Sequence, residues 1–222
     1  MTLAQWMALF MLALFTPIEV ASAGSGGNEL SQRLGSGNPV AGKEKSDAGR
    51  CQECHGVDGN SGDTRIPNHA GQYAGYLAKQ LSDFQAGARQ HTVMSVMAED
   101  LDAADIADIA AYFAAQKPMR GRDGIGNASA RRLFVNGDAS REIKPCAECH
   151  GKNGEGRVSG DGGTVYPVLG GQRKAYLRSQ LVSWKLGERH NSPDGVMNEV
   201  AKRLNEDDID ALADYLSGLQ PP

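Results

Sequence analysis

The stretch Cys51-Gln52-Glu53-Cys54-His55-Gly56 recurs as Cys146-Ala147-Glu148-Cys149-His150-Gly151, and the two copies use every cysteine of the 222-residue chain. Two cysteines three apart on one helical turn share an edge, and the His follows directly. Covalent haem c attachment requires this arrangement. Each thiol adds to one vinyl group, giving thioethers at Cys51 and Cys54 and at Cys146 and Cys149. The imidazole of His55 or His150 then meets the iron from the proximal side. A structural zinc site wants four Cys/His ligands per ion, and this motif offers three at crowded spacing. A thioredoxin-like pair follows a strand and opens a long helix; here polar, Gly-rich loops follow (57–62 and 152–164). A disulfide scaffold has no use for the His.

The rest of the chain repeats with the motif. Gly-Gln-x-x-x-Tyr-Leu-x-x-Gln-Leu is carried by Gly71, Gln72, Tyr76, Leu77, Gln80 and Leu81, and again by Gly171, Gln172, Tyr176, Leu177, Gln180 and Leu181. Cys51 and Cys146 are 95 apart, Pro67 and Pro167 100, Leu101 and Leu204 103. The steps of five and three fall in loops, where insertions cost little. The chain is therefore a duplicated domain and not a solenoid. Helical spacing predicts helices from Pro39 towards Cys51, over 73–86, over 103–116 behind a capping box at Asp102 and Asp105, over 128–135, and over the matching parts of the second copy. Each copy is small for a purely apolar core, and a covalently held haem completes it. The expected fold is all-α: two tandem cytochrome c-like domains, each wrapped around one haem c, at 39–117 and 128–222, joined by a linker at 118–127.

The N-terminus reads differently. Residues 6–15 are an apolar run too short to span a bilayer, followed by Ala21-Ser22-Ala23. Residues 1–23 are expected to be a secretory signal peptide cut after Ala23, although no Lys or Arg precedes the run; an uncleaved anchor is the other reading. Residues 24–38, rich in Gly and Ser, are expected to be a flexible segment. Export agrees with haem c, which is attached outside the bacterial cytoplasm. The formal charge of −4, without a basic cluster, gives no case for nucleic acid.

A low-spin haem needs a second axial ligand, usually Met or His. Beyond the signal segment the candidates are Met94, Met97, Met119 and Met197. Met94 lies seven residues before Leu101 and Met197 seven before Leu204. Met97 aligns with Val200, and Met119 falls in the linker. The repeat thus assigns Met94 to the first iron and Met197 to the second. His91 and His190 are the rival ligands and otherwise exposed loop residues; His69 faces Leu169 in the alignment, which argues against ligation. Pro67 and Pro167 fit either a carbonyl acceptor for the proximal His or plain turns. Tyr76, Tyr176, Arg89 and Arg189 are read as packing or surface residues, the alternative being contacts to haem propionates.

Together, over residues 39–220, these features resemble the dihaem cytochrome c4 family. The resemblance implies a periplasmic two-domain carrier with His/Met irons, often loosely membrane-associated, working between redox protein partners: a respiratory donor and a terminal oxidase. With both irons capped, neither has a place for substrate, so the expected protein is not an enzyme. The rival readings are a cytochrome subunit of a larger redox enzyme, and a dihaem peroxidase or sulfur-compound dehydrogenase, which need an open or specially ligated iron.

Overall fold

The computed structural model describes residues 35–121 and 127–221. The expected signal peptide, most of segment 24–38 and the middle of the linker lie outside the described residues.

In the first copy, α1 (Pro39–Ala48) starts where the Asn38 side chain accepts from the Val40 and Ala41 amides and proline fills the first turn, where its missing N–H costs nothing. The last residues of the segment expected to be flexible are thus fixed: the Asn38 amide also donates to Asp108 Oδ1 at 2.7 Å. Helix α2 (Cys51–His55) carries the first motif, followed by α3 (Ala74–Gln85), α4 (Met94–Ala98) and α5 (Ala103–Ala114). Helix α5 opens with the expected reciprocal capping box of Asp102 and Asp105. The second copy has α6 (Ala128–Asn136), α7 (Ala147–His150), α8 (Lys174–Leu186), α9 (Val196–Lys202) and α10 (Glu206–Gly218).

The structure differs from expectation in three further places. The loops carrying Met94 and Met197 contain the short helices α4 and α9, too brief for a periodic pattern. The second Gly-rich loop folds back as a hairpin of β1 (Arg157–Val158) and β2 (Val165–Tyr166), with Arg157 opposite Tyr166. The linker begins as packed structure. Met119 is 1% exposed and donates its amide to the Ala70 carbonyl, and the Gly121 amide reaches Leu219 O at 2.8 Å in the second copy.

Each copy buries its own small core. Leu77, Ile109 and Phe113 centre the first; Leu133, Phe134, Leu177, Ile209, Leu212 and Leu216 centre the second. Helix α1 packs closely on α5 because Gly42 has no side chain: a Cβ there would lie 1.9 Å from the Asp108 carbonyl oxygen. Lys45 binds Asp105 and Asp108 across this seam at 2.9 and 2.8 Å. In the second copy Arg141 holds Asp138 at 2.7 Å and Asp208 at 2.5 Å.

Ile209 is wholly buried, so Ile209→Ala is expected to destabilise the second copy by about 2–5 kcal/mol in denaturant unfolding. Hydrogen bonds from Ser140 and Arg141 lower the Asp138 pKa to about 2. A depressed folded value stabilises above the unfolded carboxylate pKa of about 3.9 and is lost as pH falls towards about 2. Acid titration of unfolding should show this loss between about pH 5 and 2, and Asp138→Asn should flatten that slope.

Candidate functional site

Both motif helices present the same geometry. His55 is 7% and His150 8% exposed. His55 Nδ1 lies 3.0 Å from the Pro67 carbonyl oxygen, and His150 Nδ1 lies 3.1 Å from that of Pro167. A carbonyl only accepts, so Nδ1 carries the hydrogen and Nε2 keeps the lone pair that can bind a metal. Of the two readings of these prolines, the structure selects the carbonyl acceptor. Burial lowers the pKa of both imidazoles despite these bonds, favouring the neutral ligand form.

The cysteines are unpaired: no disulfide joins Cys51 to Cys54 or Cys146 to Cys149. Cys51 and Cys146 pack against the two apolar cores. Burial raises the Cys51 thiol pKa and pushes that of Cys146 up to about 11. A reactive redox pair needs the opposite, a stabilised thiolate. Among the described residues no three His, Cys, Asp or Glu side chains converge on one ion, so the zinc reading finds no ligand cage. Cysteines on one helical turn, a proximal His with its tautomer set and an adjoining apolar core fit a haem in each copy.

Met94 begins α4 and Met197 lies in the first turn of α9, both half-buried. Of the other candidates, Met97 is 42% exposed and Met119 is buried in the packed start of the linker. His91 and His190 are exposed. His91 Nδ1 accepts from the Val93 and Met94 amides, both at 3.3 Å, so its ring caps α4.

His69 has an unexpected position. Its ring stacks on His55 with centroids 4.0 Å apart and 28° between planes, and meets Phe113 edge-on at 5.5 Å. Desolvation, then the neighbouring His55, holds its pKa well below the histidine range. In the second copy Leu169 occupies the matching position, and Tyr166 faces His150 edge-on at 6.2 Å. The two centres are therefore not equivalent. The place of His69 two residues beyond Pro67 was the available signal.

Tyr76, Tyr176, Arg89 and Arg189 do pack, but against the sister copy. Arg89 donates to Gln80 and, across the domain boundary, to Tyr176 (3.2 Å) and Gln180 (2.8 Å). Arg189 donates to Gln180 and, in the reverse direction, to Tyr76 (3.2 Å) and Gln80 (3.0 Å). Each guanidinium lies over an aromatic ring of its own copy, Arg89 over Phe84 at 4.7 Å and Arg189 over Trp184 at 4.4 Å. Desolvation favours the neutral phenol of Tyr176, but the two guanidiniums outweigh it and lower its pKa. No salt bridge to either arginine occurs among the described residues. The two guanidiniums thus share the Gln80 and Gln180 side-chain oxygens at the domain boundary, and the Asp83 carboxylate lies near enough to act on Arg89.

The cytochrome c family model matches residues 39–117 and 134–220. Cytochrome c4 of Pseudomonas aeruginosa is 37% identical over 185 residues, covering 82% of this chain and 89% of that protein. The thiosulfate dehydrogenase electron acceptor of Stutzerimonas stutzeri is 34% identical, covering 76% of this chain and 78% of its own. Among solved structures, reduced recombinant cytochrome c4 from Pseudomonas stutzeri superposes with a TM-score of 0.73 at 37% identity, over 83% of this chain and all of that one. Thiosulfate dehydrogenase (TsdBA) from Marichromatium purpuratum gives 0.69 at 36% identity, over 82% of this chain but 40% of that protein.

Cys149→Ala should leave the second haem on one thioether. The reduced pyridine haemochrome band of that centre is then expected to move to longer wavelength while the first stays.

Proposed function

The chain belongs to the cytochrome c4 family of dihaem electron-carrier cytochromes, and from that premise we propose that it works in the periplasm, accepting electrons one at a time from a respiratory donor and delivering them to a terminal oxidase. When bound, the two covalent haem c groups supply iron-centred one-electron chemistry. Cys51, Cys54, Cys146 and Cys149 would hold the groups covalently, and His55 and Met94 in one copy and His150 and Met197 in the other would ligate the irons.

The observation that carries this reading is the matched pair of Nδ1–carbonyl bonds, which offer the same imidazole nitrogen in both copies. The methionines also sit alike, at the starts of short helices. The Met197 amide donates to Ser192 Oγ at 3.2 Å, and Asn198 beside it ties α9 to the Trp184 and Arg189 carbonyls at 2.8 and 2.9 Å. His91 is engaged as a cap, which favours Met over bis-His ligation. A thioether ligand favours the reduced iron and raises the potential. Arg89 and Arg189 would face the haem propionates, whose negative charge suits two guanidiniums that form no salt bridge among the described residues.

Residues 1–23 act in this reading as the export signal, cleaved after Ala23, in keeping with haem c attachment outside the cytoplasm. No helix among the described residues is long and apolar enough to cross a membrane. The thiosulfate dehydrogenase electron acceptors, at 34% and 36% identity, support a second reading of the donor: a sulfur-compound dehydrogenase delivering electrons to this chain. Stopped-flow reduction by each candidate donor separates the two.

Met197→Ala is expected to abolish the near-infrared Met–iron band of the second centre, lower its potential and let it bind carbon monoxide. Met94→Ala should do the same at the first. An unchanged spectrum in either variant removes that methionine from the ligand set.

A further inference from the structure

Gln72 and Gln172 are each 5% exposed or less, and each reaches into the opposite copy. Gln172 Oε1 accepts from the Asn68 amide at 2.7 Å, and its Nε2 donates to the Asn68 carbonyl at 2.9 Å. Gln72 treats Val168 in the same way, at 2.9 and 3.0 Å. Asn68 and Val168 are the residues directly after Pro67 and Pro167. One peptide group therefore joins two hydrogen bonds. Its carbonyl, from Pro67, accepts from His55 Nδ1; its N–H, from Asn68, donates to Gln172. The peptide between Pro167 and Val168 links His150 to Gln72 identically.

A positive φ turns each glutamine across the boundary. Gly71 and Gly171 have φ of 66° and 75°, and a Cβ on either would fall within 3 Å of the linker backbone at Pro118 or Arg120, so neither position admits a side chain.

We propose that Gln72 and Gln172 are crossed positioning residues: each sets the strength of the proximal-histidine hydrogen bond in the other copy, so the potential of each centre is tuned from the opposite domain. The physical basis is polarisation. A peptide whose N–H is already donating has a more negative carbonyl, because hydrogen bonds in a chain strengthen one another in a low-dielectric interior. A stronger acceptor at Nδ1–H makes the imidazole a more basic ligand and stabilises the oxidised iron. Removing the glutamine weakens the chain and raises the potential at the far centre. The amide pair also fixes the carbonyl in space, since its loss strands two buried backbone groups.

This inference rests on His55 and His150 being the proximal ligands, which the parent protein's low-spin spectrum checks separately. Gln172→Ala, and Gln172→Met as a shape-conserving second variant, are titrated in the full dihaem protein, with the centres assigned from their haem methyl resonances. The expected result is an upward shift of the His55 centre, faster deuterium exchange of its Nδ1–H, and an unmoved His150 centre. Gln72→Ala should show the mirror image. Lys79→Ala removes an interdomain bond to Asn191 away from both prolines and should move neither centre. A shift confined to the variant's own copy, equal shifts at both centres, or no shift at either would overturn the proposal.

Discussion

In each copy one imidazole N–H is bound to one proline carbonyl, and most of the remaining arrangement depends on that bond. It selects the nitrogen available to iron, orients the ring and anchors the loop between the motif helix and the long helix that follows. It is not a local feature, because the same peptide is held on its other side by a glutamine of the opposite copy. A free-standing single copy would keep its motif and lose the brace.

The duplication divides labour within one short motif. In Gly-Gln-x-x-x-Tyr-Leu-x-x-Gln-Leu the leucines turn inward: Leu77 belongs to the first core and Leu177 to the second. The polar members turn outward to the sister domain: Gln72 and Gln172 to backbone, Tyr76, Tyr176, Gln80 and Gln180 to the two arginines. Stripes four residues apart on one helix allow this division. The interface is thus pseudo-symmetric, and its centre is cationic. His69 breaks the symmetry, stacking on His55 where the second copy has Leu169, so two similar sites acquire different surroundings.

Much of the fold was legible in the residues themselves. The cysteine and histidine spacing pointed to the cofactor, and the offsets of 95, 100 and 103 located the elements and the loops between them. The long helices followed from their periodicity and caps. Other features were not legible, for physical reasons. Helices α4 and α9 are too short to show a period. The 157–166 hairpin is stabilised by side-chain bonds within a Gly-rich loop, and composition alone reads as irregular. Tyr76, Tyr176, Arg89 and Arg189 read only as packing or surface residues, because a repeat reveals which positions correspond, and not which face meets the sister copy.

The proposed function stands on both centres being closed, by imidazole on one side and thioether on the other, which would leave each iron electron transfer alone. Low-temperature electron paramagnetic resonance of the oxidised, unmodified protein tests it most directly. The account predicts two low-spin ferric signals of equal weight and no high-spin component. A high-spin signal from either iron at rest would contradict it and leave a site open for catalysis.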